Sequence, residues 1–391
     1  MENFEFYSPT RIIFGKGTEN GVSSQVAKYA DKVLLVYYGN GTPEENAIIS
    51  RIESNLTAAG IKPVKHPGVK PNPRLSLVRD GIRVCREEKI GFVLAIGGGS
   101  VIDTAKAIGV GVPFKGDVWD LYEGKTVAQE SLPVGVVLTI PAAGSESSNS
   151  SVITNEDGWF KKHYDDDIQR PVFAILNPEL TFTLPRYQTV CGACDIMMHI
   201  MERYFTDTPD VDLTDRLCES ALQTIIKNAP VVMEDPLNYA ARAEIMLTGT
   251  VAHNNSLGVG RLQDWASHMM AHELGGMYDV AHGAALAVIF PAWMKYVYKH
   301  NINRFAQYAS RVWHLDIDLQ NPEKTALEGI GRTEQFFGSL GLPVRLKDLG
   351  IGTDRIEEMA KKIRLFDEDS VGRFVKLKYD DVVKIYKLAA E

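Results

Sequence analysis

The chain changes character near Pro185, and that change limits the folds open to it. Ahead of Pro185, short apolar, β-branched runs alternate with helical stretches. Val33-Leu-Leu-Val-Tyr37 reads as a buried strand, followed by a helix over about 44–59. A strand over 61–65, a helix over 75–88 and the strand Phe92-Val-Leu-Ala-Ile96 continue the series, with further apolar runs at 134–138 and 172–176. Runs that are apolar throughout are buried on both faces, so they belong to a mostly parallel sheet covered by helices. Residues 5–7 and 11–14 read as an antiparallel edge pair. Beyond the break, the stretches 213–226, 240–253, 284–298 and 324–340 carry helical periodicity between Gly, Pro and Asn breaks. A length of 391 residues suits two cores better than one. The sequence therefore predicts an α/β class chain: a Rossmann-like domain over residues 1–186 and an all-α domain over 187–391, hinged at 177–185.

Composition removes several function classes. A formal net charge of −8 disfavours nucleic acid and anionic membrane as partners, because both select a basic surface. No uncharged apolar run approaches the roughly 20 residues that span a bilayer. The N-terminus lacks the basic and apolar regions of a signal peptide, and four cysteines are too few for a disulfide framework in a chain of this length. A cytoplasmic location is expected. Cys191 and Cys194 form a CxxC with no second pair nearby, and they read as small helix residues.

Strand 92–96 runs directly into Gly97-Gly-Gly-Ser100, and residues 101–108 read as the helix after it. Glycines let backbone N–H groups approach a ligand, and a helix N-terminus adds free donors and a positive dipole end. The combination suits a pyrophosphate. Ser100 and Asp103 have the spacing of a cap and its partner. The motif is neither a Walker loop nor the usual GxGxxG, and it follows a later strand than that fingerprint would. After the first long strand, Tyr37-Tyr-Gly-Asn-Gly-Thr42 holds no acid to take a ribose 2′-hydroxyl, and Glu44 is the nearest. A small neutral turn here tilts the expectation from NAD toward NADP.

Asp195-Ile-Met-Met-His199 and His268-Met-Met-Ala-His272 each place two metal-competent side chains four residues apart, on one face of a helix. His282 follows shortly after. One carboxylate and several imidazoles can thus converge on a divalent cation, and such a mixed N/O set suits Zn²⁺ or Fe²⁺ better than Mg²⁺ or Ca²⁺. A zincin needs Glu directly after the first His, where Met269 stands, so hydrolysis of that kind is disfavoured. His253 and His163 lack this setting and read as surface or core residues.

Over essentially its whole length the sequence resembles the iron-containing (group III) alcohol dehydrogenases, within the branch of butanol dehydrogenases and NADPH-dependent aldehyde reductases. The resemblance is carried by Val69-Lys-Pro-Asn-Pro73, Ala95-Ile-Gly-Gly-Gly-Ser-Val-Ile-Asp103, Leu138-Thr-Ile-Pro-Ala-Ala-Gly-Ser-Glu146, Leu176-Asn-Pro178, Asp264-Trp-Ala-Ser-His-Met-Met-Ala-His-Glu-Leu274 and His282-Gly283. It implies a dehydroquinate synthase-like architecture and a metal, Fe²⁺ or Zn²⁺, on Asp195, His199, His268 and His282. It places His272 beside the nicotinamide as the candidate catalytic residue. It assigns dinucleotide contacts to Gly98, Gly99, Ser100, Asp103, Thr139 and Lys161, and to the turn Gly39, Asn40 and Gly41. The implied reaction is hydride transfer between nicotinamide C4 and a small primary alcohol or aldehyde, with NADP as coenzyme (NAD second); a homodimer, paired through edge strands near the N-terminus, is expected besides. Ala143 stands where the family commonly has Thr, and the turn at 38–41 differs from the Gly-Gly-Gly-Ser of many NADP users.

Two related chemistries share this architecture: dehydroquinate synthase-like cyclases and glycerol dehydrogenase-like enzymes, acting on anionic or polyol substrates. The Met-rich metal segments (Met197, Met198, Met269, Met270) suit a small, weakly polar substrate instead, and Trp265 and residues 147–150 are candidates for its pocket wall. Replacing His268 by Ala is expected to abolish metal retention and turnover while dinucleotide binding persists. Metal analysis alongside nucleotide titration checks this, and full activity of the variant after chelation would refute the site.

Overall fold

The structure is a computed structural model and describes residues 1–39, 41–363 and 369–391. The chain forms two compact units. One comprises Tyr7–Leu184 and Pro236–Thr250; the other comprises Met1–Phe6, Pro185–Asp235 and Val251–Glu391.

The first unit is built on a six-stranded sheet from β1 (Arg11–Phe14), β2 (Lys32–Tyr38), β3 (Lys62–Val69), β4 (Phe92–Gly98), β5 (Val134–Ile140) and, after a hairpin, β8 (Phe173–Leu176). Helices α1 (Val22–Val26), α2 (Pro43–Ala58), α3 (Leu75–Glu88), α4 (Gly99–Gly111) and α5 (Trp119–Tyr122) connect them. Strand order is β1-β8-β5-β4-β2-β3, and every pairing within it is parallel. Strands that must bury both faces need apolar residues at successive positions, and β2 and β4 supply them. Val33, Leu35, Phe92 and Leu94 pack with Ile49, Ile52 and Leu56 of α2, whereas Leu34, Val36, Val93 and Ala95 pack with α3 and α4. From β2 the chain moves to β3 on one side, then returns to β4 on the other. The carboxyl ends of β2 and β4 therefore form a topological switch point, where open parallel sheets bind ligands.

The antiparallel edge pair expected at 5–7 and 11–14 does not form. Residues 5–7 are not a strand, and β1 pairs in parallel with β8, Arg11 against Phe173. The Thr10 hydroxyl donates to the Pro171 carbonyl at 2.7 Å and the Arg11 N–H to Val172 at 3.2 Å, so the segment is seated alongside the start of β8. The antiparallel hairpin β6 (Ser150–Asn155) and β7 (Phe160–Asp165) had no clear periodicity in the sequence. It is anchored by the Thr154 N–H on the Pro73 carbonyl and by Ser76 on Glu156.

From Pro185 onward the described chain forms helices: α6 (Arg186–Tyr204), α7 (Asp212–Glu234), α8 (Tyr239–His253), α9 (Ala266–Tyr278), α10 (His282–Val297), α11 (Ile302–Trp313), α12 (Pro322–Ser339), α13 (Ile356–Lys362) and α14 (Tyr379–Ala390). In the helical unit α10 is apolar around almost its whole circumference and is central, packed by α6, α9, α12 and α14. Gly283 at its start sits against the backbone of Cys191 in α6, where a Cβ would collide with the carbonyl. That close approach brings His282 to the side of α6 that carries Asp195. Among the described residues no helix is long and apolar enough to cross a membrane.

Gly135 in β5 lies under the stacked rings of Phe92 and Phe173, whose centroids are 5.7 Å apart, and a Cβ there would enter both rings. Gly135→Ala should therefore cost about 1–3 kcal/mol by overpacking. A clearly lowered thermal midpoint, with nucleotide affinity retained, is the expected result.

Candidate metal centre and phosphate loop

In the helical unit, Asp195 and His199 share one face of α6, His268 and His272 one face of α9, and His282 opens α10. Asp195, His268 and His282 offer ligand atoms that all lie within 4.8 Å of one another, a group able to hold a metal ion. Asp195 Oδ1 is 3.6 Å from His199 Nδ1, 4.0 Å from His268 Nε2 and 3.7 Å from His282 Nε2. Ligand atoms about 2.1 Å from a tetrahedral cation stand roughly 3.4 Å apart, so the spacing fits a shared ion with slight contraction. His199 Nδ1 and His268 Nε2 are buried with no hydrogen-bond partner among the described residues. Buried polar atoms in folded proteins are normally satisfied, and a cation would satisfy both. Burial, reinforced by the neighbouring His253, His268 and Arg203, holds the His199 pKa well below its ordinary range, which keeps its ring neutral and able to ligate. The donor set fits Fe²⁺ or Zn²⁺.

The second ring nitrogen of His268 explains its orientation. Nδ1 donates to Glu202 Oε1 at 2.8 Å, which leaves Nε2 as the lone-pair nitrogen facing Asp195. Glu202 is wholly buried one helical turn beyond His199, and it also accepts from the Ser267 hydroxyl at 2.5 Å and from the backbone N–H groups of His268 at 3.2 Å and Trp265 at 2.7 Å. Sequence reasoning passed over Glu202. Its i,i+3 spacing from His199 was the available signal, but any exposed helix shows the same spacing. Asp264, also fully buried, accepts from the N–H groups of Ala266, Arg373 and Phe374, and burial beside Glu202 pushes its pKa up to about 7.

His253, expected to be a bystander, packs its ring 4.3 Å from that of His199, while His163 in β7 lies near Asp165. Trp265 faces the cluster: its ring centroid is 5.0 Å from His268 and 5.8 Å from His199, and the Arg203 guanidinium lies 4.8 Å over it. His272 stands one turn past His268, buried, with its ring 5.3 Å from that of His282.

In the sheet unit, Gly97 and Gly98 end β4 and Gly99 begins α4, so Ser100 lies inside the helix and the position before it is Gly98. The expected Ser100/Asp103 cap is absent. Gly98 meets Ile140, and Gly99 meets Ala143 with 3.0 Å to a would-be Cβ, so close packing demands these glycines as much as a ligand does. The Tyr38 side chain is turned toward Gly98 and Ser100, and burial pushes its hydroxyl pKa up. Gly41 and Thr139 line a cleft at the carboxyl ends of the strands. Gly39 lies against Gly68, with 2.8 Å from a would-be Cβ to the Gly68 Cα; Asn40 lies outside the described residues.

Asp103 and Lys161, both expected at the coenzyme, also hydrogen-bond within the protein. Asp103 accepts from the Ser145 hydroxyl at 2.6 Å and the Val152 N–H at 3.0 Å, and Lys161 donates to Asn72 at 2.9 Å. Beside Asp103, the wholly buried Lys106 donates to Ser145 Oγ and to the carbonyls of Ser148 and Ser150 at 2.9–3.0 Å, and burial brings its pKa down to about 8. Together they brace residues 145–152, the segment expected to wall the pocket.

Comparison with known proteins places this geometry. Residues 9–178 match the family described as iron-containing alcohol dehydrogenase, and residues 189–390 match the C-terminal domain of the Fe-containing alcohol dehydrogenase family. A probable NADH-dependent butanol dehydrogenase of Bacillus subtilis is 42% identical, covering 99% of each chain. The NADPH-dependent aldehyde reductase of Escherichia coli is 34% identical over the full length of both. The crystal structure of an NADH-dependent butanol dehydrogenase from Thermotoga maritima superimposes with a TM-score of 0.95 at 38% identity, covering 100% of this chain and 99% of that one. The fold is that of a solved alcohol-oxidising dehydrogenase, and the family is one of oxidoreductases. The chain belongs to the iron-containing alcohol dehydrogenase family, in its butanol dehydrogenase and aldehyde reductase branch.

Glu202→Gln keeps the size of the side chain but weakens the acceptor that orients His268. Metal affinity is expected to fall about 10–100-fold with the helical content unchanged. Metal retained after graded dialysis against a chelator measures this, and wild-type retention would show that Glu202 does not orient the ligand.

Proposed function

We propose that this protein reduces small primary aldehydes to alcohols, and runs the reverse reaction, with NAD(P)(H) and a divalent cation, Fe²⁺ or Zn²⁺, held by Asp195, His199, His268 and His282. The observation that carries the reading is the convergence of three imidazole nitrogens within 4.0 Å of one buried carboxylate oxygen, inside a family whose members are alcohol dehydrogenases. Such a cation supplies Lewis acidity toward a carbonyl oxygen, and the nicotinamide supplies the hydride.

The protein's own groups do the remaining work. Glu202 fixes the His268 tautomer. Trp265 shields the ligand rings from water, which strengthens every charge interaction there. His272 exchanges a proton or orients the nicotinamide, as imidazole can near neutral pH. Gly98, Gly99, Ser100 and Thr139 hold the dinucleotide at the head of α4, and Asp103 and Lys161 act at one remove, through residues 145–152 and Asn72. Buried Met197, Met198, Met269 and Met270 support a small, weakly polar substrate rather than an anionic or polyol one.

The division into a coenzyme-binding domain (1–186) and a metal-binding domain (187–391) belongs to the same proposal. So does a homodimer, supported by the exposed edge strand β1 with Ile12 and Phe14 on its surface. The four buried free thiols support a reducing, cytoplasmic setting. The Bacillus and Thermotoga relatives are named for NADH and the Escherichia one for NADPH, so both coenzymes enter the test.

After reconstitution with Fe²⁺ or Zn²⁺, butanal should drive oxidation of the reduced nucleotide, chelation should abolish it, and glycerol should support far less of the reverse reaction. Absence of aldehyde reduction with every metal would overturn the reading.

A further inference from the structure

Helix α9, which carries His268, begins under strain. Trp265 just before it has φ +71°, a left-handed conformation that a bulky residue keeps only where its surroundings hold it. Two buried carboxylates do the holding. Glu202 accepts from the N–H groups of Trp265 at 2.7 Å and His268 at 3.2 Å. Asp264, wholly buried, works beside it. Its Oδ2 accepts from the Ala266 N–H at 3.2 Å, a first-turn donor that has no acceptor within the helix, and its own N–H donates to the Glu202 carbonyl at 2.9 Å.

The other oxygen of Asp264 serves a distant part of the chain. Oδ1 accepts from the N–H groups of Arg373 at 2.6 Å and Phe374 at 2.8 Å. Both belong to a clip over residues 370–377, closed by backbone hydrogen bonds of 2.9 Å in each direction between Val371 and Leu377. The clip lies outside the helices and the sheets, yet Ser370, Val371, Phe374 and Leu377 are buried. A buried irregular segment must find acceptors for its N–H groups, and Asp264 supplies two of them. Beyond the clip, the Tyr386 hydroxyl in α14 donates to the Met270 carbonyl of α9 at 2.9 Å. The C-terminal stretch thus grips α9 on both sides of His268.

We infer that Asp264 is a positioning residue for His268, and that the clip at 370–377 and metal binding stabilise one another through it. The inference rests on reading His268 as a metal ligand. With the clip undocked, Oδ1 loses two donors, and the head of α9 is freed to relax from the strained turn at Trp265. His268 then shifts, and a metal site tolerates ligand displacements of only about 0.2 Å. Linkage makes the effect reciprocal: a cation that fixes His268 must also hold the clip down, by the same factor.

The test measures Zn²⁺ affinity by chelator competition, the visible spectrum of the Co²⁺-loaded protein, and hydrogen exchange at the Arg373 and Phe374 amides. In the wild type, Zn²⁺ should slow that exchange about tenfold. Asp264→Asn keeps the side-chain volume but sets an NH₂ group against one of the N–H donors. Zn²⁺ affinity should fall about tenfold, with an altered Co²⁺ spectrum. Gly372→Ala disturbs the clip from its own side: Gly372 has φ +88°, and a Cβ would lie 2.6 Å from the Val375 carbonyl oxygen and 2.9 Å from Asp264 Oδ1. The same fall is expected there, with α9 itself unaltered. Gly329→Ala, which crowds Ala309 in the contact between α11 and α12, should lower the thermal midpoint and leave Zn²⁺ affinity as it is. Unchanged affinity in either clip variant that folds, an equal fall in Gly329→Ala, or wild-type exchange indifferent to Zn²⁺ would overturn the inference while the metal site stands. A wild type that binds neither Zn²⁺ nor Co²⁺ overturns the metal reading itself, and this inference with it.

Discussion

A carboxylate buried to 3% exposure among imidazoles is the constraint around which the helical unit is organised. Burying a charge costs several kcal/mol unless a counter-charge or donors compensate it, and Asp195 lies within 4.0 Å of three histidine nitrogens that are good ligands when neutral. A cation would resolve that conflict, and the surrounding structure orients the rings around Asp195. Glu202 fixes the tautomer of His268, Trp265 and His253 pack the ring faces, and Gly283 lets α10 approach α6 closely enough to deliver His282.

The sheet unit solves a different problem with the same economy of parts. An all-parallel sheet buries both faces, so its polar business is confined to strand ends. The order β3-β2-β4-β5 puts the carboxyl ends of β2 and β4 side by side, where Gly98 ends β4 and Tyr38, Gly41, Glu45 and Thr139 line a small cleft. Behind the loop, Lys106 and Asp103 form a buried pair that holds residues 145–152.

Membership of the iron-containing alcohol dehydrogenases accounts for the two arrangements in one chain, since a nicotinamide supplies hydride and a metal ion can polarise the carbonyl oxygen that receives it.

Patterns that repeat within a few residues were legible from the sequence alone. Continuous apolar runs gave the parallel strands, 3.6-residue periodicity gave the helices after Pro185, and the i,i+4 pairs in α6 and α9 marked the ligand faces, because each depends only on local backbone geometry. Partners far apart in the chain were decided by tertiary structure. Glu202 meets His268 across 66 residues, His253 reaches His199, and β1 joins β8 in parallel rather than pairing with residues 5–7. The direction of a side chain was equally hidden: Glu45 is ordinary in a list of residues, and only the cap that turns it back makes it part of a cleft. Periodicity fixes which face a side chain occupies, whereas packing fixes what that face meets.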